Sequence, residues 1–260
     1  MKTIHSRDNA AFKVLKSLAG DAREQRRQGF TLLEGSHLVA AYRDKVGLPE
    51  RLILSEHGAA QTEIIALQAR LAGTDTLLLK DSLFAELSGV ATPTGILALI
   101  RIPASPSELP CAGSCVLLDA LQDAGNVGSI LRSAAAAGVR DLFLGPGCAG
   151  AWTPRVLRAA QGAHFDLQIR EQADLARIMA DFSGSTVAAT AHQGDPLYRL
   201  DLSGPVAWLF GNEGGGISAQ LLSGARLRAA VPMAPGSESL NVAAAAAICL
   251  FEEVRQKNFE

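Results

Sequence analysis

From residue 114 onward the chain alternates short, wholly apolar runs with segments of helical spacing: "CVLLDAL", "NVGSILRSAAAAG", "DLFLG", "TPRVLRAAQGA", "FDLQI", "EQADLARIMADF", "TVAAT", "VAWLFGN", "ISAQLLSGA", "LRAAVPM", and then an alanine-rich helix. Runs without polar alternation suit strands covered on both faces, and strands separated by helices pair in parallel. The expectation is an α/β fold with a parallel sheet. Such sheets take ligands at the carboxyl ends of their strands. The loops after "LLDAL", "WLFG" and "AAVPM" are therefore the first places to look for chemistry.

A proline- and serine-rich stretch, "IPASPSELPCAGS" (102–114), has the composition of a linker. Before it, apolar runs "FTLLEG", "RLILSE", "DTLLLK" and "GILALIRI" alternate with "SHLVAAYRDKV", "TEIIALQARLAG" and "DSLFAELSGV". This reads as a smaller α/β domain over 1–104, a linker over 105–113 and a second domain over 114–260.

Composition excludes several classes. A chain of 260 residues with 48% apolar and 5% aromatic residues fills an aliphatic core without staples. Cys111, Cys115, Cys148 and Cys249 form no CxxC pair and have no histidines at zinc-site spacing, so reduced thiols and no metal are expected. The first residues carry charges where a secretory signal needs an apolar core, and "VAAAAAICLF" is about half a membrane span. A cytoplasmic protein with no membrane association is the expectation. The net charge of −2 hides a basic start, where seven basic residues face three acidic ones in the first thirty. That start is either a solvated helix face or a phosphate-contacting surface.

Each of the three loops has an ordinary and a functional reading. In "LLDALQDAGNVGSILRSAAAAG", Asn126 is placed to cap a helix whose amino end attracts anions, and Arg132 projects from a surface of small residues. An exposed surface arginine is the plain alternative. In "VAWLFGNEGGGIS" the glycines permit unusual backbone or close ligand approach, and Glu213 is a turn carboxylate or a functional one. The loop fits a dinucleotide fingerprint poorly, since it follows a late strand. In "PGSESLNVAAAAAICLFE", Ser239 or Asn241 caps a helix so apolar that burial on every side is expected.

In this order and spacing the three loops resemble the motifs of the SpoU/TrmH family of RNA ribose methyltransferases, in the SPOUT superfamily. "NVGSILRSAAAAG", "FGNEGGGIS" and "VPMAPGSESLNVAAAAAICLFE" look like its motifs one, two and three, and "RVLRAAQGAHFDLQI" is similar to the segment between the first two. The leading segment resembles, more loosely, the family's ribosomal-protein-like substrate-binding domain. One departure is Ala124, where the family often has a proline before the Gly-Asn pair.

The resemblance implies a catalytic domain with a deep trefoil knot, S-adenosyl-L-methionine as cofactor, an RNA substrate (ribosomal RNA, with transfer RNA as the alternative) and a homodimer. It implies cofactor contacts at Thr190, Ala191, Gly211, Val231, Met233 and Leu240, and polar active-site positions at Asn126, Arg132, Glu213, Ser239 and Asn241. Lys16, Arg23, Arg26 and Arg27 are the expected phosphate contacts. The reaction would be in-line methyl transfer to a ribose 2′-hydroxyl. A guanidinium is a poor base near neutrality, so Arg132 either handles the hydroxyl proton or grips a phosphate and orients the hydroxyl. A nucleotide-binding oxidoreductase and a non-catalytic RNA-binding module are the rival readings.

Overall fold

The central strands of both sheets form where aliphatic residues follow one another without polar alternation, and both of their faces are covered. The structure, a computed structural model, describes residues 1–104, 113–191 and 193–258. Residues 105–112 of the expected linker, Cys111 among them, lie outside the described residues. The chain divides into two compact units, Met1–Ala104 with Trp152–Phe165, and Ser105–Ala151 with Asp166–Glu260.

In the first unit, β1 (Lys2–Ile4), β2 (Phe30–Glu34), β3 (Arg51–Ser55), β4 (Thr76–Leu79) and β5 (Ile96–Arg101) form a sheet of order β1-β4-β3-β5-β2. β5 runs antiparallel to both β2 and β3, while the remaining pairs are parallel. Helices α1 (Ala10–Gly20), α2 (Ala22–Gln28), α3 (Ser36–Lys45), α4 (Glu56–Ala59), α5 (Thr62–Arg70) and α6 (Asp81–Leu87) complete the first hundred residues. Leu15 and Leu18 of α1 and Leu83, Phe84 and Leu87 of α6 close over Leu32, Ile53, Leu77 and Leu97 of the sheet.

The segment Trp152–Phe165 belongs with this unit, although the sequence assigns it to the second domain. Two contacts hold it. Thr31 Oγ1 donates to the Trp152 carbonyl at 2.6 Å, and Arg158 Nη1 meets Glu34 Oε2 at 2.7 Å. Glu34 is buried, and it also accepts from the Ser88 hydroxyl and from the Gly89 N–H at 3.2 Å. A carboxylate withdrawn from water needs such partners.

The second unit is built on β6 (Cys115–Leu118), β7 (Asp141–Leu144), β8 (Gln168–Glu171), β9 (Ser185–Thr190), β10 (Asp195–Pro196), β11 (Val206–Phe210) and β12 (Leu227–Ala230). Their order is β10-β12-β9-β11-β6-β7-β8, with every pairing parallel. The helices here are α7 (Ala124–Ala136), α9 (Leu175–Asp181), α10 (Ala219–Gly224) and α11 (Val242–Asn258), with α8 (Pro154–Ala160) in the excursion to the first unit. The chain lays β7 and β8 on one side of β6 and then crosses to the other side, so strand order reverses between β6 and β11. That is the switch point at which parallel sheets open a crevice. Phe210 pairs with Leu118 and Ala230 with Thr190, so neighbouring strands end level and their loops leave from one edge.

Helix α11 packs on α7 and is tied to the sheet by a buried carboxylate. Glu253 accepts from Trp208 Nε1 and from Lys257 Nζ, both at 2.6 Å. The helix is not buried on every side as its composition predicts. Ala246, Cys249 and Leu250 face inward, whereas Ala244 and Phe251 are exposed and Ala247 and Ile248 half-buried. A run of alanines has no polar residue to mark its outer face, so periodicity could not reveal one. Among the described residues no helix is long and apolar enough to cross a membrane.

Candidate active site

The loops that follow β9, β11 and β12, together with the amino end of α11, enclose a cavity of about 600 Å³. Thr190, Ala191, Gly211, Val231, Met233 and Leu240, the six positions implied for a cofactor, all line it. Ser239, Asn241, Glu213 and the backbone of Gly214, Gly215 and Gly216 complete much of the wall. Its size suits a drug-sized or nucleoside-sized ligand. The lining also carries an unsatisfied group: the Thr190 hydroxyl is buried with no hydrogen-bond partner among the described residues. Leaving such a group unpaired costs about 1 to 3 kcal/mol, which favours a polar ligand.

At the rim of this cavity three polar side chains, far apart in sequence, form a directed chain. Asn241 Oδ1 accepts from the N–H groups of Ala243 at 2.9 Å and Ala244 at 3.3 Å, which makes Asn241 the cap of α11. Its Nδ2 donates to Asn126 Oδ1 at 2.9 Å, and Asn126 Nδ2 donates to Glu213 Oε1 at 3.0 Å. The ends dictate the orientation of both amides: helix N–H groups only donate, and a carboxylate only accepts. Glu213 also receives the N–H groups of Asp123 at 3.2 Å and Gln122 at 3.4 Å.

Glu213 therefore faces the turn into α7 with no cation paired to it among the described residues. Partial burial pushes its carboxyl up, but donation from Asn126, from its own N–H and from those of Asp123 and Gln122 outweighs this. The net result lies below the ordinary glutamate value.

One expectation about these residues needs correction. Asn126 does not cap α7. The cap is Asp123, whose Oδ1 accepts the Asn126 N–H at 2.8 Å, and Asn126 sits in the first turn with its amide released to reach Glu213. Both Asp and Asn are good caps, and the helix starts earlier than the apolar spacing suggests. Ser239 is exposed on the cavity wall, and Asn241 alone of the two caps α11.

Arg132 stands apart from this group. It is exposed on α7, does not line the cavity, and its side chain makes no hydrogen bond or ion pair among the described residues. On the same stripe lie Gly125, Ser129 and Ala136, all exposed, so the guanidinium projects from a surface of small residues.

Sequence reasoning missed the residues that hold the glycine-rich turn. Asn212 Oδ1 accepts from the N–H groups of Gly214 and Gly215, both at 2.9 Å, while its Nδ2 donates to the Ala120 carbonyl at 2.8 Å. Asp119 Oδ2 accepts the Ser218 N–H at 2.7 Å. The signal available was a short polar side chain at the end of each strand, the residue type that closes turns through its own backbone.

The basic start of the chain is less free than its charge count implies. Lys16 Nζ meets Glu86 at 3.0 Å, and Arg7 Nε meets the same carboxylate at 2.6 Å. Arg27 pairs with Glu24, and hydrogen bonds from Arg27 and Gln28 hold the Glu24 carboxyl at about 2. Arg23 and Arg26 are exposed on α2.

The SpoU rRNA Methylase family model matches residues 113–251. The chain is 32% identical over 254 residues to the Bacillus subtilis 23S rRNA (guanosine(2553)-2'-O)-methyltransferase RlmP, covering 96% of this chain and 98% of that protein. It is 27% identical over 261 residues to a Streptomyces viridochromogenes 23S rRNA (uridine(2479)-2'-O)-methyltransferase, covering 96% and 91% respectively. Among solved structures, the SpoU methyltransferase AviRb of Streptomyces viridochromogenes, in complex with AdoMet, superposes with a TM-score of 0.84 at 27% identity. That match covers 95% of this chain and 98% of the other.

Proposed function

The chain belongs to the SpoU rRNA methylase family, and on that premise we propose that it is a cytoplasmic, S-adenosylmethionine-dependent methyltransferase acting on a ribose 2′-hydroxyl of ribosomal RNA. One observation carries the reading: a single cavity at the carboxyl ends of β9, β11 and β12 is lined by all six implied cofactor positions, with the Asn241–Asn126–Glu213 chain at its rim. The unpaired Thr190 hydroxyl and the polar backbone of the glycine turn suit a cofactor of this kind.

Gly211, Val231, Met233 and Leu240 would hold the cofactor, with Thr190 and Ala191 beside them. When bound, it supplies an electrophilic methyl group on a sulfonium. Glu213, kept ionised by its neutral donors, fixes the turn between β6 and α7 and orients Asn126. Asn126 and Asn241 order the polar rim, and Ser239 adds a hydroxyl on the wall. Positioning of this kind supplies several kcal/mol of catalysis when reacting atoms are held in line.

Arg132, exposed and off the cavity, suits contact with the RNA: a bidentate grip on a phosphate that orients the hydroxyl, or a direct role in removing its proton. Arg132→Ala is expected to lose turnover with little change in cofactor binding, measured by methyl-transfer assay and calorimetry. Arg132→Lys separates the two roles, since severe loss points to the fork and partial retention to charge or basicity.

The homodimer is proposed on the same footing. Ala244, Ile248 and Phe251 of α11, with Phe251 47% exposed, form an apolar stripe on the helix that packs against α7. A second copy would cover it, and the trefoil knot implied by the resemblance would thread the same loops. Arg23 and Arg26, exposed on α2, are candidates for RNA phosphate contact together with Lys16 and Arg27, which carboxylates already engage.

The test is labelled methyl transfer to ribosomal and to transfer RNA, with mapping of 2′-O-methyl sites in cells with and without the gene. Methylation of ribosomal RNA alone is expected. Methylation of transfer RNA would replace the substrate. RNA affinity without cofactor binding would favour the non-catalytic module.

A further inference from the structure

We propose that Asn212 is a positioning residue for the reaction: it shapes the turn after β11 and thereby aims the Glu213 carboxylate at the amino end of α7. The inference rests on the assignment of Glu213 to the reacting centre.

Asn212 uses its whole side chain inside the turn. Oδ1 gathers the Gly214 and Gly215 N–H groups, and Nδ2 reaches across to the Ala120 carbonyl in the loop after β6. Its backbone adds a two-way bridge, since Asn212 N–H donates to the Gly216 carbonyl and Gly216 N–H to the Asn212 carbonyl, both at 2.9 Å. The turn closes tightly on the strand end, because a Cβ on Gly211 would lie 2.3 Å from the Gly216 carbonyl carbon. Ala120 on the far side holds φ of 53°, in the left-handed region that a residue with a Cβ adopts at some cost. That strained carbonyl is the one that Asn212 captures.

Glu213 is the next residue, so its backbone cannot shift without breaking these contacts. Its contacts outside the turn, to Gln122, Asp123 and Asn126, lie on the segment that begins with Ala120. Asn212 thus stitches the same two loops that Glu213 bridges, from the opposite side of the turn. The Asp119 carboxylate and Ser218 N–H add a separate stitch, which retains the loop when Asn212 is changed. An amide is required because one end must accept and the other donate. Aspartate keeps the two glycine N–H groups but sets an oxygen against the Ala120 carbonyl, and alanine loses both.

The experiment compares Asn212→Ala, Asn212→Asp and Glu213→Gln, and adds Asn212→Ala to Glu213→Gln, using methyl transfer to ribosomal RNA at saturating S-adenosylmethionine. Expected is a fall in kcat of about tenfold to a hundredfold for Asn212→Ala, with the KM for RNA within about twofold and a smaller loss for Asn212→Asp. In the Glu213→Gln background the same substitution should cost much less, since both act on one group. Equal cost in both backgrounds, or wild-type kcat in Asn212→Ala, overturns the positioning role while leaving Glu213 in place. Wild-type kcat in Glu213→Gln instead removes Glu213 from the reaction, and this inference with it. Asn212→Asp keeps the turn's acceptors, so the comparison survives if the alanine variant fails to fold.

Discussion

Glu34 in the first unit and Glu213 in the second are both carboxylates held by several donors, but their surroundings differ in two respects. Glu34 is 8% exposed and faces a guanidinium at 2.7 Å, whereas Glu213 is exposed and receives only neutral donors. A sealed, charge-balanced pair keeps structure in place. An open, uncompensated carboxylate that remains ionised keeps a negative charge available at the edge of a cavity. The burial of a charge, taken by itself, would have pointed to the wrong glutamate.

Substitutions sharpen that contrast. Arg158→Ala leaves Glu34 buried without its cation, and loss of one partner of a buried pair costs on the order of 3 to 5 kcal/mol. The guanidinium is one-quarter exposed, so urea unfolding should show a loss near the lower end of that range. An unchanged midpoint would mean that Glu34 finds other compensation. Glu213→Gln should do the opposite, lowering kcat by about a hundredfold, the scale expected when a reacting centre is misplaced, while the unfolding midpoint stays close to wild type. A variant that unfolds early but turns over normally would make Glu213 a second structural carboxylate.

The smallest effect is expected from acid. Because the folded pKa of Glu213 is depressed, its contribution is fully present above the unfolded carboxylate value and is lost only as pH falls through the lower, folded value. The Gln122 and Asp123 amides, followed by NMR across an acid titration, should therefore keep their bound shifts below about pH 4.3, where an unperturbed glutamate is half protonated. A midpoint at or above that value would show that the neutral donors do not outweigh burial.

Much of the second unit's strand and helix order was legible in the sequence, because wholly apolar runs such as "CVLL" and "VAWLF" have one way to bury both faces. The three polar loops were legible too, and every implied cofactor position lies on one cavity wall. The register of the helix ends was not. Asp123 and Asn126 are equally good caps, and only the Glu213 contact shows which of them is released for other work. Nor could pattern alone show that α11 keeps an open stripe, since alanine is at home on either face of a helix.

Sequence by itself determined the α/β class, the punctuation of its loops and the residue types that meet at their ends, since these depend on contacts between near neighbours in the chain. Tertiary structure alone decided which polar groups meet. Asn126 and Glu213 stand 87 positions apart, and Asn126 and Asn241 115. The crossing that sets β11 beside β6 brings the first pair within hydrogen-bond reach, and the packing of α11 on α7 the second. The same holds for Arg158, 124 residues from Glu34: no local rule sends a segment from between β7 and β8 to close on the first sheet, and the cost of a buried carboxylate explains why it stays there.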